Sequence, residues 1–515
     1  MRTVSNIITP YQVKGFTIRI LPVPSMLIHS ELGPTPLMHV IPEGLLRTDQ
    51  FSLDRAIPAF YIYQRTMAQI HALSTLDQLP FMRTYTQMLL CFPVEQESRR
   101  SKVVQLLQQA SGDLVKAIPI LAGQMENHKD KDASTDVLMS GNFRVVPYQH
   151  PESSNVRVRI LDDFVPYDQL REAQAPATML DQAHLAPMKG LPDHYGDSDV
   201  APAFIIQANF IPGGLILCFT GMHSVMDATG LGQLIKLFAT LCRGEELSAA
   251  DLAVANLDRA KIDLALKPGQ TQMNHPELAL GINEAQKDDA VKAPASVWSY
   301  LHIPAPRLFE LKHEGSRELT SNPAWVSTND VVTTWLWRAV TRARSVNIDM
   351  SKDSVLLRAI SGRRRLDPPM PNYLGNVVTC PVHKLAIKNL LEDPLSKVTQ
   401  SVRATTNLIN DHYVRSMANL IASEPDRSKL AFGFEAPDRD LMISSWAAVP
   451  AYEDFGDVLG IADFVRRPTV PWSGIIYIMP KRPDGSLDIA VALPEDDMRR
   501  LQSDEQVMAV ATYIG

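Results

Sequence analysis

The sequence predicts a mixed α/β fold made of two halves of similar size. Segments with strand-like alternation or short apolar runs alternate along the chain with segments of helical spacing, as in mixed α/β proteins. With 515 residues, the chain is also too long for one ordinary hydrophobic core. Residues 266–295 lose this periodicity and are rich in Gln, Asn, Lys, Asp, Pro and Gly, which is typical of a linker. We therefore predict a first domain over residues 1–245, a crossover linker over 246–296 and a second domain over 297–515.

The first half combines several predicted strands with two predicted helices. Apolar residues at helical spacing predict one helix over 99–117 and another from just after Asp227 to about Leu241. The polar residues 170–198, interrupted by prolines, predict a loop with some helix. Pro212-Gly213-Gly214 separates two apolar runs and predicts a hairpin turn. The predicted strands are 16–24, 84–93, 142–146, 156–160, 203–209 and 215–220.

The second half shows the same mixture of elements. Ser327-Thr328-Asn329-Asp330 has the spacing of a capping box and predicts the start of a helix that ends at Arg344. A further helix is predicted over 404–421, and a strand over 354–360. Residues 473–479 and 487–493 predict a hairpin around Pro483-Asp484-Gly485.

Composition and charge exclude several classes of protein. Apolar residues make up 45% of the chain and charged residues 21%, as in ordinary globular proteins. The net charge of −7 argues against a nucleic-acid-binding surface. Neither an apolar signal-peptide core nor an apolar run long enough for a membrane span is found in the sequence. The four cysteines are widely spaced without metal-ligand pairing, so we predict buried free thiols, no metal site and a cytoplasmic protein.

His223 is the main candidate for chemistry. It follows the apolar run 214–220 and precedes the predicted helix after Asp227, so it is predicted at a strand end, on a short turn. A side chain in that position faces a cleft more readily than a core, and imidazole suits a general base near neutral pH. By spacing alone, an ordinary core or surface histidine remains the more frequent alternative.

Asp227 has three possible roles. Its carboxylate can orient the imidazole of His223, as in a catalytic triad. It can also cap the helix that follows, or pair with an arginine elsewhere in the chain. Since the last two roles are structural, we favour a structural role for Asp227.

Motifs of other enzyme classes are missing from the sequence. It contains no G-x-S-x-G nucleophile elbow and no Walker loop, and Gly230-x-Gly232 lacks the third glycine of a dinucleotide-binding motif. His184 and His194 lie among aspartates, but their spacing matches no zinc motif, so a solvated loop is the better interpretation.

Four segments follow one another in a recognisable order. They are His223-x-x-x-Asp227, residues 327–344, residues 361–376 with Asn372-Tyr373-Leu374-Gly375-Asn376, and residues 444–456 with Asp454-Phe455-Gly456. In this order they resemble the HxxxD motif, the helix after the domain crossover, the YFGN segment and the region of the DFGWG motif of the BAHD acyl-CoA-dependent acyltransferases, especially their fungal, trichothecene 3-O-acetyltransferase-like branch. Together the four segments favour a catalytic role for His223.

The resemblance implies an architecture and a reaction. The fold would consist of two chloramphenicol-acetyltransferase-like domains with a tunnel between them. His223 would act as the general base that deprotonates a hydroxyl or amine, and the acceptor would attack the thioester of acyl-CoA, in particular acetyl-CoA. No permanently bound cofactor and no metal would be needed. We expect a monomer whose partners are acyl-CoA and a small-molecule alcohol or amine.

The resemblance also implies roles for further residues. The indole N–H of Trp446, with Ser444 nearby, would stabilise the oxyanion. Asp227 would form a structural salt bridge with Arg363, and Asp454 and Gly456 would support the structure. Ser327 and Thr328, at a helix start, are candidates for binding the phosphates of CoA.

The chain departs from the family pattern at three places. Ala228 replaces a glycine after Asp227, and Ser361 replaces an aspartate before Gly362. The tryptophan expected after Gly456 is also missing. These changes affect local loop geometry more than the expected activity.

Two alternative functions remain open. A condensation-domain-like enzyme that forms amides or esters shares the HxxxD motif, but it carries a second histidine where this chain has Met222. A non-catalytic ligand-binding protein on the same fold is the other alternative. The principal expectation is acetylation of a hydroxyl of a secondary metabolite, such as a terpenoid, polyketide or alkaloid.

Overall fold

The computed structural model forms two units, Met1–Ile57 and Pro58–Gly515. In the first unit, β1 (Gln12–Val13) and β2 (Phe16–Thr17) pair antiparallel. The rest of the strand predicted over 16–24 lies outside the described residues. The structure describes residues 12–13, 16–17, 70–94, 97–128, 142–148, 154–280, 296–319, 323–432, 436, 438–470 and 475–515.

The described residues of the second unit form both strands and helices, from His71 to Ile514, which confirms the mixed α/β class. Its described strands are β3 (His71–Ala72), β4 (Tyr85–Pro93), β5 (Gly123–Asn127), β6 (Phe143–Pro147), β7 (Val156–Ile160), β8 (Phe204–Ile211), β9 (Gly214–Met222), β10 (Leu278–Leu280), β11 (Ser296–Ile303), β12 (Asp353–Ser361), β13 (Val378–Thr379), β14 (Val382–Ala386), β15 (Leu430–Phe432), β16 (Leu441–Ser445), β17 (Phe464–Arg466), β18 (Ile475–Ile478), β19 (Leu487–Pro494) and β20 (Thr512–Ile514). Its described α-helices are α1 (Arg100–Ala117), α2 (Tyr167–Glu172), α3 (Gln182–Leu185), α4 (Ala228–Cys242), α5 (Ala249–Ala255), α6 (Ala305–Glu314), α7 (Thr328–Arg344), α8 (Ile387–Glu392), α9 (Leu395–Asn407), α10 (Asp411–Ser423), α11 (Glu495–Gln502) and α12 (Glu505–Met508).

One sheet, in the order β17-β4-β9-β8-β7, positions His223. Strands β8 and β9 form the predicted hairpin, whose turn uses Gly213 at a φ of +76°. Both strands are buried along their whole length. Strand β17 is remote in sequence but pairs antiparallel with β4, so the second half of the chain supplies an edge strand to this sheet.

A second sheet, in the order β13-β12-β16-β18-β19-β11-β20 with β14 also paired to β12, is built from the second half. Successive apolar side chains along its strands point to opposite faces of the sheet and so enter two different cores. On β18, Ile476 and Ile478 join the core that contains α7 residues, and Ile475 and Tyr477 join the core of the first sheet. The face of this sheet that carries Ile475 and Tyr477 therefore packs toward the elements that position His223.

Two regions differ from the sequence prediction. The helix predicted over 404–421 is divided between α9 and α10, because the Asn410 side chain accepts a hydrogen bond from the Tyr413 N–H and caps a new helix. Within the predicted linker, β10 pairs antiparallel with β15, and His275 and Glu277 are buried. The division into two domains at 246–296 remains a prediction.

The structure also bears on the cysteine and membrane predictions. All four cysteines are buried and free. In the part of the chain that the structure describes, no helix is both long enough and apolar enough to cross a lipid bilayer.

Candidate active site

His223 directly follows the last residue of β9, and hydrogen bonds hold its backbone on both sides. Its N–H donates to the Thr84 carbonyl at 2.8 Å, and its carbonyl accepts from Asn376 Nδ2 at 2.7 Å. The side chain is half-buried. Its buried Nδ1 atom has no hydrogen-bond partner among the described residues. The protein therefore fixes the main chain of His223 while leaving this ring nitrogen unpaired.

Behind this contact lies a buried polar network that the sequence analysis did not predict. Asn376 donates from its backbone N–H and from Nδ2 to Asp77 Oδ1, both at 2.8 Å. Arg259 lies 3.4 Å from Asp77 Oδ2 and donates to the Val225 carbonyl at 2.6 Å, two residues after His223. The spacing Ser74-x-x-Asp77, a capping box in the structure, was the available signal for Asp77.

Asp227 combines the two structural roles that its position allows. Its carboxylate accepts two hydrogen bonds from Arg363 at 2.8 Å, one to each oxygen. It also caps α4 by accepting from the Gly230 N–H at 2.9 Å, and it accepts from the Val377 N–H at 3.2 Å. Burial alone would raise the pKa of the Asp227 carboxyl, but Arg363 and these hydrogen bonds hold the pKa below its usual value.

Arg363 also fixes the segment that carries Asn376. Its Nε donates to the Tyr373 carbonyl at 2.8 Å, and its Nη2 donates to the Gly375 carbonyl at 2.6 Å. The guanidinium is buried, so it links the turn after β9 to the 373–376 segment without contact with solvent. Arg363 therefore joins the segment His223-x-x-x-Asp227 to the segment 372–376, both of which the sequence analysis singled out.

The first turn of α4 packs against two segments of the second half at glycines. A Cβ atom at Gly230 would lie 2.0 Å from the Leu374 carbonyl oxygen. A Cβ atom at Gly232 would lie 2.2 Å from Val449 Cγ1. Since no side chain fits at Gly230, its role is close backbone packing, which the glycine spacing alone did not reveal.

Ser444 and Trp446 contact each other at the end of β16. The Trp446 indole N–H donates to Ser444 Oγ at 3.1 Å, and the Trp446 backbone N–H donates to the Ile478 carbonyl at 2.7 Å. The Trp446 ring packs edge-on against Tyr477, with ring centroids 4.9 Å apart. The indole N–H is thus used within the protein, with Ser444 Oγ as its acceptor.

Asp454 and Gly456 form a tight loop on α4. Asp454 Oδ1 accepts from the Gly456 N–H at 2.9 Å, and Arg243 donates to the Asp454 carbonyl at 2.6 Å. Gly456 has a φ of +79°, a conformation that favours glycine. A cavity of about 380 Å³ adjoins this loop, but neither His223 nor Ser444 lines it.

Ser327 and Thr328 lie at the start of α7. Ser327 forms a capping box with Asp330, which also binds Arg358 at 2.6 Å and pairs with Arg403. Burial would raise the pKa of the Asp330 carboxyl, but the charge of Arg358 and the hydrogen bonds from Ser327 and Arg358 lower it. The hydroxyl of Ser327 is thus engaged within the protein. Among the described residues, no group of three His, Cys, Asp or Glu side chains could hold a metal ion.

Comparisons with known proteins identify the family of this chain. The family model described as the Transferase family matches residues 58–508. The chain is 33% identical over 455 residues to the O-acyltransferase pigD of Monascus ruber, which covers 85% of this chain and 98% of that protein. It is 31% identical over 453 residues to trichothecene 3-O-acetyltransferase TRI101 of Fusarium sporotrichioides, covering 85% of this chain and 96% of that protein.

The fold is also similar to that of a solved acetyltransferase structure. The crystal structure of F. sporotrichioides TRI101 complexed with coenzyme A and T-2 superposes with a TM-score of 0.78 at 28% identity, over 87% of this chain and 100% of that chain. The chain therefore belongs to the Transferase family and is an acyltransferase of the BAHD type that its motifs resemble.

Proposed function

We propose that this protein transfers an acetyl group from acetyl-CoA to a hydroxyl of a small secondary metabolite, with His223 as the general base. The names of its relatives support O-acetylation, and the TRI101 structure contains coenzyme A and T-2. The observation that carries the proposal is the arrangement at His223, whose backbone N–H and carbonyl form hydrogen bonds of 2.8 and 2.7 Å while its Nδ1 atom has no partner in the part of the chain that the structure describes. The main chain is thus fixed where β9 ends, and none of the described residues occupies Nδ1 of the half-buried imidazole, which suits a general base.

The proposed reaction proceeds in two steps. The imidazole of His223 removes the proton of the acceptor hydroxyl as the oxygen attacks the thioester carbonyl carbon. The C–O bond forms and the carbonyl becomes a tetrahedral oxyanion. The C–S bond then breaks, and the CoA thiolate takes the proton from the imidazolium to leave as free thiol. No covalent acyl-enzyme forms in this scheme.

Ser444 is the proposed donor to the oxyanion, and Trp446 is its positioning residue. The indole N–H is directed to Ser444 Oγ, which leaves the hydroxyl hydrogen of Ser444 for the developing negative charge. A hydrogen bond accepted from the indole also polarises that hydroxyl. Gly232 of α4 packs against Val449, which lies five residues after Ser444. Since α4 follows the turn that carries His223, this packing supports a position of Ser444 near that turn.

Asp227 and Arg363 are proposed as structural supports for the catalytic turn. They hold the start of α4, which follows His223, and the 373–376 segment, whose Asn376 donates to the His223 carbonyl. Asp454 and Gly456 are proposed to support the far end of α4 in the same way. We further propose that the start of α7, with Ser327 and Thr328, contacts the phosphates of CoA, since a helix N-terminus favours anions.

A thiol-release assay tests the proposal. Purified full-length protein is incubated with acetyl-CoA and a panel of small alcohols, and free thiol and acetylated product are measured. His223→Ala is expected to lower the turnover rate by about 10²–10⁴-fold. The matched control His313→Ala, an exposed histidine on α6, is expected to retain full activity.

Binding of CoA to each variant separates the possible outcomes. If His223→Ala binds CoA normally but does not turn over, the general-base role is supported. If that variant remains fully active, the role is wrong. If the natural protein binds CoA but acetylates no acceptor of the panel, acetylation of these alcohols is contradicted.

A further inference from the structure

Arg467 directly follows β17 and is buried against aromatic side chains. It is only 6% exposed. Its guanidinium carbon lies 4.5 Å from the ring centroid of Trp298 and 4.1 Å from that of Tyr477. These rings are stacked, with centroids 6.3 Å apart and planes 25° apart. Arg467 therefore reaches the face of the second sheet on which Trp298 and Tyr477 lie.

Among the described residues, no acidic side chain pairs with Arg467. Its buried Nε and Nη1 atoms have no hydrogen-bond partner among the described residues, and no described carboxylate forms an ion pair with it. The aromatic faces interact favourably with a cation, but they do not accept the directed hydrogen bonds of a guanidinium. A buried cation with unpaired N–H groups is unfavourable unless an anion completes it.

The neighbouring Arg466, in contrast, uses its guanidinium N–H groups in hydrogen bonds within the protein. It donates to Asp488 at 2.6 Å and to the carbonyls of Ala175 and Gln174 at 3.0 and 2.9 Å. Its charge and its donors are thus used within the protein. The difference between the adjacent arginines suggests that the donors of Arg467 serve a ligand.

The position of Arg467 places that ligand beside the proposed reaction centre. Tyr477, which contacts the Arg467 guanidinium, is the register partner of Ser444 across β16 and β18. Its ring also contacts Trp446. The side chain of Tyr477 therefore lies between Arg467 and the Ser444–Trp446 pair.

The surroundings favour a monoanion on an unsaturated or aromatic framework. Arg467 offers one guanidinium without a described carboxylate partner, which matches a single negative charge, whereas Asp488 is already paired with Arg466 and Arg482. The planar guanidinium fork matches a carboxylate, and Trp298, Tyr477 and Trp446 provide apolar ring surfaces.

We propose that Arg467 binds a carboxylate, or an acidic enol oxygen, of the acceptor alcohol. This inference rests on the proposed function, because it identifies the chemical class of its acceptor. Arg467 then acts as a specificity residue, which orients the acceptor so that its hydroxyl faces His223.

Matched acid and ester acceptors test the proposal. 4-(Hydroxymethyl)benzoate carries the anion, and its methyl ester lacks it while keeping the hydroxyl and the ring. Rates of acetylation are measured at varied acceptor and acetyl-CoA concentrations for the natural protein, Arg467→Gln, Arg467→Lys and the exposed control Arg307→Gln. Thermal shifts with each compound measure binding without acyl transfer.

The natural protein is expected to prefer the acid, and Arg467→Gln to lose roughly 10²-fold in kcat/KM for the acid through KM, with little change for the ester. Arg467→Lys should recover part of that preference because it restores the charge, and Arg307→Gln should behave as the natural protein does.

Three results would overturn the proposal. An equal loss for acid and ester would indicate a purely structural role, and a selective rise in the KM for acetyl-CoA would assign Arg467 to a phosphate of CoA. Equal thermal shifts of the natural protein and Arg467→Gln with the acid would exclude binding there. If neither compound is acetylated, that result counts against the proposed function with these acceptors, while the thermal shifts still decide the role of Arg467.

Discussion

Asp227 and Arg363 are 136 residues apart in the sequence and form a buried ion pair in which each carboxylate oxygen accepts a hydrogen bond of 2.8 Å. The same aspartate caps α4, and the same arginine holds the carbonyls of the 373–376 segment. The pair thus joins the turn that carries His223 to the segment whose Asn376 binds the His223 carbonyl. Its expected function is to keep that turn in one conformation.

Arg363→Lys is expected to destabilise the protein by about 3–5 kcal/mol, because a lysine cannot reproduce the two-point contact and leaves buried acceptors unpaired. Urea denaturation of the full chain measures this change. Arg364→Lys, at the adjacent exposed position, provides the control and should change stability by less than about 0.5 kcal/mol. Equal stability of the two variants would contradict a structural role for the buried pair.

The stability that Asp227 provides should depend on pH in a defined direction. Since the folded protein lowers the pKa of this carboxyl, the contribution is complete above its unfolded pKa of 3.8 and is lost as the pH falls through the lower folded pKa. The difference in the free energy of unfolding between the natural protein and Asp227→Asn should therefore be constant from pH 7 to about pH 5. It should then decrease toward pH 2.5. A difference that grows on acidification would show that the pKa is raised instead.

Gly230→Ala should destabilise the protein even though alanine favours helices. The added Cβ atom would lie 2.0 Å from the Leu374 carbonyl oxygen, so the 373–376 segment would have to move. We expect a loss of about 1–3 kcal/mol and a reduced turnover rate, because Asn376 moves with that segment. Gly112→Ala in α1 is the matched control, since no atom lies within 4 Å of its added Cβ atom. That variant should be more stable by up to about 1 kcal/mol, as measured by thermal unfolding.

The division of roles between Ser444 and Trp446 predicts unequal kinetic effects. Ser444→Ala should lower kcat by about 10²–10³-fold with little effect on the KM for acetyl-CoA, because it removes the proposed oxyanion donor. Trp446→Phe keeps the ring against Tyr477 but removes the N–H that orients Ser444, so its effect on kcat should be smaller. If Trp446→Phe has the larger effect, the indole N–H itself contacts the oxyanion.

Much of the local structure follows from short sequence patterns. The Pro212-Gly213-Gly214 turn, the capping box at Ser327 and the helix after Asp227 all occur where the sequence predicts them. The helix predicted over 404–421 was wrong because apolar spacing continues through the point at which Asn410 starts a new helix. Here a single side-chain cap outweighs the periodicity.

The sequence by itself determined many of the elements, the family motifs and the position of His223 at a strand end, because these depend on neighbours a few residues away. The tertiary structure decided which distant segments meet. It pairs β17 with β4, brings Asp77 within hydrogen-bond distance of Asn376, and directs the Trp446 indole N–H to Ser444. It also buries two guanidinium nitrogens of Arg467 that lack a hydrogen-bond partner among the described residues, while the neighbouring Arg466 donates to Asp488 and to main-chain carbonyls. Adjacent arginines look alike in a sequence, and only the packing of two sheets determines which of them has donors left for a ligand.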